Sequence, residues 1–217
     1  MAIARVQGPR SGYGASPTTA TFLSSPTAGN LMVCFARTGN GGASTNGSIP
    51  GWTRATGARC ATAVYSGIWY KVAGAGESSD VVLTWTGSTG TFMFIEEWGG
   101  FTGTPTLDKV AYSDYTVAVT SKTSGTCDTT TANDELCLAG FSHGAAITSP
   151  SWTNSFSLEG YDNPASIITV LVSLVASSTW AAETTQSWTT ARVCGGLIAT
   201  FKGVVTSTWI PQVIMVI

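Results

Sequence analysis

Charge is the scarcest property of this 217-residue chain. It has 10 Lys and Arg against 12 Asp and Glu, and charged residues make up 10% of the sequence. Ordinary soluble proteins carry roughly 25%. The net charge of −2 offers no basic cluster to gather phosphates, which excludes a nucleic-acid partner. Weak self-repulsion fits a protein whose surface is covered in an assembly.

Histidine is nearly absent. The one histidine is His143, within Ser142-His143-Gly144. A Ser-His-Asp or Cys-His arrangement has no other base to use, and a histidine-rich metal site is excluded by count. No Gly-x-Ser-x-Gly elbow occurs, so the expectation for His143 is a solvated loop residue. The five cysteines, Cys34, Cys60, Cys127, Cys137 and Cys194, fit no CxxC or zinc spacing. They read either as free thiols packed as small hydrophobes or as disulfide cross-links formed after release.

Long apolar runs are missing too. None approaches the roughly 20 residues of a membrane helix, which argues against a membrane partner. The first twenty residues hold no apolar stretch of signal-peptide length. The expectation is synthesis and retention in the cytoplasm. Helix formers are few beside 25 glycines, and the chain holds 34 Thr and 24 Ser. Stiff, β-branched Thr suits a pleated, half-buried surface.

What is present is a repeat. Shifted by 103 residues, the chain matches itself: Asn30 on Asn133, Cys34 on Cys137, Val72-Ala73 on Val175-Ala176, Trp85-Thr86 on Trp188-Thr189, and Trp98 on Phe201. Pro50-Gly-Trp52-Thr53 matches Pro150-Ser-Trp152-Thr153 at a shift of 100. Each copy reads as four main strands: Leu31–Ala36, Ala61–Ala73, Val81–Trp85 and Thr91–Trp98, then Leu136–Phe141, Ser166–Ala176, Thr184–Thr189 and Val193–Phe201. Glycine-rich turns punctuate them.

Four strands in one sheet cannot bury both faces. Two copies give eight, the number in a jelly roll. The expected fold is all-β, a jelly-roll-like β-sandwich built from two related halves, with a C-terminal extension. Residues 1–203 form one sandwich of two pseudo-repeats, about 28–100 and 131–203. Two tandem domains are the alternative. Residues 204–217 are an apolar arm or last strand, ending in Trp209, Ile210, Val213, Ile214, Met215, Val216 and Ile217. That end either packs on its own sandwich or adds a strand to a neighbouring subunit.

Carboxylates give no acid–base pair. Glu96 and Glu97 are adjacent in a strand and point to opposite faces. Asp108, Asp114, Asp128 and Asp134 are dispersed at turns, and no calcium-loop pattern exists. Gly39–Gly47 lacks the Lys-Ser/Thr ending of a phosphate cradle. No cofactor is expected. Trp52, Trp152, Trp85 and Trp188 sit at repeated positions and read as core. Trp69, Trp180 and Trp209 have no tryptophan counterpart and are open to stacking on a sugar or anchoring an interface.

Several strings resemble a β-sandwich family: Trp69-Tyr-Lys-Val-Ala-Gly-Ala-Gly-Glu77, Val81-Val-Leu-Thr-Trp-Thr86, Ile95-Glu-Glu-Trp-Gly99, Leu107-Asp108, Thr129-Thr-Thr-Ala-Asn-Asp134 and Ile198-Ala-Thr-Phe-Lys202. The family is common among virion proteins of tailed bacteriophages and as modules of bacterial surface proteins. The similarity covers roughly residues 28–203. It implies a structural or adhesive role and supplies no catalytic residues. The expectation is a non-enzymatic virion protein made in the host cytoplasm, foremost a capsid decoration or stabilising protein. It would assemble as a homo-oligomer, a trimer by jelly-roll habit, and contact the major capsid protein. A tail or fibre component, or a module binding a surface glycan, is the alternative.

Overall fold

A computed structural model describes residues 2–38, 47–61, 64–88, 90–115, 117–162 and 168–204, with the backbone alone described at 162. The terminal residues Trp209, Ile210, Val213, Ile214, Met215, Val216 and Ile217 lie outside that range, as do Ser166 and most of the Gly39–Gly47 loop.

The protein is all-β, as expected. The first repeat contributes β1 (Ala4–Gly14), β2 (Thr18–Thr21), β3 (Leu31–Thr38), β4 (Gly47–Ser48), β5 (Thr53–Ala61), β6 (Val64–Val72), β7 (Asp80–Trp85) and β8 (Thr91–Gly99). The second contributes β9 (Thr104–Ser113), β10 (Val119–Thr123), β11 (Glu135–His143), β12 (Ser151–Trp152), β13 (Ser157–Asp162), β14 (Thr169–Ala176), β15 (Thr185–Arg192) and β16 (Cys194–Val204).

Each repeat folds into a five-stranded and a three-stranded antiparallel sheet. The orders are β1-β8-β3-β6-β5 with β2-β7-β4, and β9-β16-β11-β14-β13 with β10-β15-β12. Strand for strand the two halves are the same. Eight strands per repeat replace the four read from sequence. The missed strands are polar and lie at sheet edges or in the short outer sheets. Strand β1 even carries Pro9, which a sheet edge tolerates, and its pairing with β8 shifts register between Arg5 and Arg10. Such strands lack the apolar alternation by which sequence reveals a strand.

Burial explains the layering. Along β3, Leu31, Val33 and Phe35 enter one core, while Met32, Cys34 and Ala36 enter another. Successive side chains point to opposite faces, so the sheet is buried on both sides. The first core is shared between repeats: it joins Leu31, Phe35, Phe94 and Trp98 to Leu136, Leu138, Leu197 and Phe201. The second lies beneath β2-β7-β4 around Trp69, Leu83 and Trp85. A third holds Cys137, Phe141, Val170, Val172 and Trp188 in the second repeat. The layers therefore run three, five, five and three strands. Double burial is why β3, β8 and β11 read as continuous apolar runs.

The ladders correct the register of the sequence repeat. Leu31 pairs with Val72 and Trp98, and Leu136 pairs with Val175 and Phe201. Leu31 therefore corresponds to Leu136, Met32 to Cys137, and Cys34 to Ala139. The Cys34–Cys137 match is off by two residues, a slip that keeps each thiol on the same face. Trp52 and Trp152 are likewise not equivalent. Trp152 pairs with Gln186 within β12, whereas Trp52 follows β4 in a turn closed by its N–H to Ile49 O, at 3.1 Å.

A pseudo-twofold relation governs the contact between the five-stranded sheets. Phe35 corresponds to Gly140, and the two meet: a Cβ added to Gly140 would lie 2.4 Å from Phe35 Cε2. A residue close to such an axis faces its own counterpart. Two large rings would collide there, and Phe opposite Gly fills the space once.

Candidate functional site

The residues most suited to chemistry are drawn into three polar clusters, two of them at the junction of the repeats. The first contains Glu96. Its neighbours Phe94 and Trp98 lie in the shared core, so its carboxyl faces the second repeat. It accepts from Trp98 Nε1 at 2.9 Å and from Arg5 Nη1 at 3.4 Å. The same Arg5 nitrogen donates to Glu159 of β13, which also accepts from Ser173 Oγ. Burial, reinforced by the Glu159 charge, pushes the Glu96 carboxyl up to about 7 against the pull of Trp98 and Arg5. Glu159 comes from the other repeat, so the adjacent-residue test that separated Glu96 from Glu97 missed this partnership. Glu96 itself has 0% of its surface exposed. A carboxyl with no face open to a substrate serves as a structural acid.

Glu97 points the other way and closes a turn. Its Oε1 accepts from Thr27 N at 2.8 Å and Asn30 Nδ2 at 2.6 Å. In the second repeat Glu135 does this work from β11, the strand beside the counterpart of β8, accepting from Ala132 N at 2.9 Å and Thr131 N at 3.2 Å. Burial raises its carboxyl also. Both carboxylates satisfy backbone donors that would otherwise be stranded.

The second cluster surrounds His143, and here the expectation fails. His143 is the last residue of β11 and is fully buried. Its Nε2 lies 2.8 Å from Gln186 Oε1, and its ring meets Trp188 edge-on with centroids 4.5 Å apart. Burial lowers it to about 4 against the pull of Gln186. Loop-like flanks Ser142 and Gly144 hid a residue whose ring lies beneath the outer sheet. Cys194 Sγ lies 3.7 Å from the same Nε2, yet burial raises that thiol well above its ordinary range. A neutral imidazole beside a protonated thiol gives no activated nucleophile.

The third cluster crosses the repeat junction. Ser66 Oγ donates to Ser142 Oγ at 2.7 Å, and Cys60 Sγ lies 3.0 Å from Ser66 Oγ. Arg37 Nε donates to Thr169 Oγ1 at 2.7 Å. All five cysteines are free and buried. Burial pushes Cys60 up to about 11 and Cys127 and Cys137 up to about 12.

The quoted motifs turn out to close turns. Asp108 accepts from Lys202 Nζ at 2.6 Å and from Thr131 N at 2.8 Å. This unites Leu107-Asp108, Thr129–Asp134 and Ile198–Lys202. Glu77 accepts from Lys71 Nζ at 2.7 Å and Gly74 N at 3.2 Å, which fastens the turn after Trp69–Val72. Among the tryptophans, Trp85 and Trp188 are core as expected. Trp69 is buried as well, edge-on to Trp85 at 5.5 Å, and so presents no platform. Trp180 is half-buried in an open cleft with Asn154, Ser155 and Ser178.

The surface carries its signal at the sheet edges. Among the described residues, eleven large apolar side chains are exposed. Six of them, Val6, Tyr13, Val110, Tyr112, Leu158 and Tyr161, lie on β1, β9 and β13. Each of these strands is an edge of a five-stranded sheet. Comparison of the chain with known protein families, curated proteins and solved structures returned no match.

Proposed function

We propose that this chain is a non-enzymatic structural protein of a virus particle of the tailed-bacteriophage type, a decoration or stabilising subunit that assembles with copies of itself. One observation carries the reading: among the described residues, exposed apolar side chains concentrate on three sheet edges that no other described strand pairs. Such an edge presents free N–H and C=O groups beside apolar surface. Soluble proteins blunt edges of this kind with charge or cover them. Charge is scarce in the chain as a whole, and on these strands Arg5, Asp108 and Glu159 are drawn into ion pairs, so cover by another subunit suits the apolar side chains that stay exposed beside them. The polar clusters support the reading from the other side, because their ionisable groups are committed to turns, to the repeat junction or, for His143 and Cys194, to the buried space beneath the second repeat's outer sheet. The resemblance in sequence to phage virion sandwiches supplies the setting, and the major capsid protein is the natural second contact.

The test is the mass of the full chain in solution by size-exclusion chromatography with light scattering. The reading expects a discrete homo-oligomer. A Leu158→Lys/Tyr161→Lys variant, charged on the β13 edge, should fall to a smaller species with its melting temperature nearly unchanged. A monomer at every concentration overturns the reading.

A further inference from the structure

At the end of β14 the second repeat has a cleft of about 280 Å3. Asn154, Ser155, Leu174, Ser177, Ser178 and Trp180 are among the residues that line it. We propose that this cleft binds a neutral saccharide of one or two rings, an activity beyond assembly.

The first repeat supplies the contrast. Val72 corresponds to Val175, so Lys71 corresponds to Leu174. Past the turn the same offset holds, because Phe22 N–H donates to Ser79 O as Cys127 N–H donates to Ala182 O. Glu77 is therefore the counterpart of Trp180. Lys71 and Glu77 form an ion pair of 2.7 Å that fastens the first turn. Leu174 and Trp180 replace that pair with two apolar side chains. Ser177 and Ser178 stand where the first repeat has Gly74 and Ala75. An ion pair has thus been exchanged for an apolar wall with hydroxyls beside it.

That lining fits a sugar. Trp180 is half-buried, and Nε1, its only polar side-chain atom, is buried. What its side chain presents to the cleft is therefore carbon, on which the C–H face of a pyranose can pack. Ser155, Ser177 and Ser178 are exposed, and their hydroxyls have no hydrogen-bond partner among the described residues. Asn154 Nδ2 donates to Glu183 O at 2.9 Å, which fixes the loop and leaves Oδ1 to accept. Asn154 and Ser155 both hold φ at 60°, a conformation that side chains rarely adopt and that binding sites retain. Among the described residues no ionisable side chain lines the cleft. A charged ligand would lose water there without gaining a counter-charge. A wholly apolar ligand would desolvate the hydroxyls without return. The volume lies near the lower end of small-molecule sites, roughly 300–1,000 Å3, which suits one or two rings. No lining residue belongs to β1, β9 or β13, so edge assembly and this site use different side chains.

Isothermal titration of the full chain tests the site with lactose, maltose, cellobiose and N,N′-diacetylchitobiose, beside digalacturonate and hexanol. The expectation is saturable binding of at least one neutral disaccharide, insensitive to salt, with digalacturonate and hexanol weaker than it. Trp180→Leu should reduce affinity at least tenfold. Trp180 also meets Phe156, so the exposed double variant Ser177→Ala/Ser178→Ala gives a reading that leaves the core alone: a several-fold loss with the melting temperature unchanged. The serine variant should leave the oligomer mass unaltered, which separates this site from the assembly reading. Absence of binding by all four disaccharides, equal or tighter binding of digalacturonate or hexanol, unchanged affinity in every variant that folds, or a change of mass in the serine variant overturns the proposal.

Discussion

Arg37 of β3 and Thr169 of β14 are joined by a hydrogen bond of 2.7 Å, Nε to Oγ1, that crosses from one repeat to the other. Its image under the repeat is the bond from Ser66 to Ser142, also 2.7 Å. Arg37 pairs with Ser66 across β3 and β6, and Ser142 pairs with Thr169 across β11 and β14. The two bonds are thus one contact made twice, with a guanidinium in place of one hydroxyl. Burial lowers the Arg37 guanidinium to about 10, so its hydrogen bonds matter to the fold.

Thr169→Val removes that acceptor with little change of shape. A buried donor deprived of its partner costs about 1–3 kcal/mol, toward the upper end for a charged group. Chemical denaturation should show a loss of that size with the m-value unchanged. Ser66→Ala, which breaks the neutral image of the same contact, should cost less.

Glu96 and His143 give opposite pH dependences. Glu96 rises from 4.5 to about 7 in the fold, so the folded state holds more protons in that window. The stability it contributes is complete below about pH 4.5 and is lost as pH rises through 7. His143 falls from 6.5 to about 4, so the unfolded state holds more protons. The stability linked to it is complete above pH 6.5 and is lost as pH falls toward 4. Each displacement corresponds to a change on the order of 3 kcal/mol. Relative to wild type, Glu96→Gln should gain stability as pH rises from 4.5 to 8. His143→Gln should gain as pH falls from 6.5 to 4. Urea denaturation at a series of pH values reads both slopes.

Gly140→Ala tests the packing at the pseudo-twofold axis. The new methyl would overlap the Phe35 ring, with 2.4 Å to Cε2. Overpacking of this kind costs about 1–3 kcal/mol. Combining it with Phe35→Leu should recover part of the loss. Additive losses would show that the two positions do not share one space.

The sequence disclosed the fold class and the repeat because the doubly buried strands announce themselves. Leu31–Ala36 and Leu136–Phe141 are apolar on both faces, and Val81–Trp85 is an apolar run whose burial alternates, with Val82 the exposed exception to a clean apolar pattern. Their boundaries fall within a few residues of β3, β11 and β7. The polar edge strands stayed hidden, since β1 and β10 look like loop until a neighbour completes their hydrogen bonds. Register was misread at Cys34 and Cys137, where a two-residue slip preserves the inward face and identical residues invite the wrong alignment. The polar clusters were legible only in part. Opposite faces for Glu96 and Glu97 follow from strand geometry, but the meeting of Glu96 with Glu159 depends on how two repeats dock. Nor does local sequence show that the end of β11 carries His143 beneath an outer sheet.

Amide hydrogen exchange of the assembled protein, read strand by strand, tests the central claim most directly. The backbone groups of β3, β8, β11 and β16 are paired on both sides within the chain and should be protected in any state. Assembly through sheet edges predicts that outward amides of β1, β9 or β13 are also slowed, and that dilution to the dissociated form, or the charged β13 variant, releases them. Fast exchange along all three edges in the concentrated protein would contradict the account.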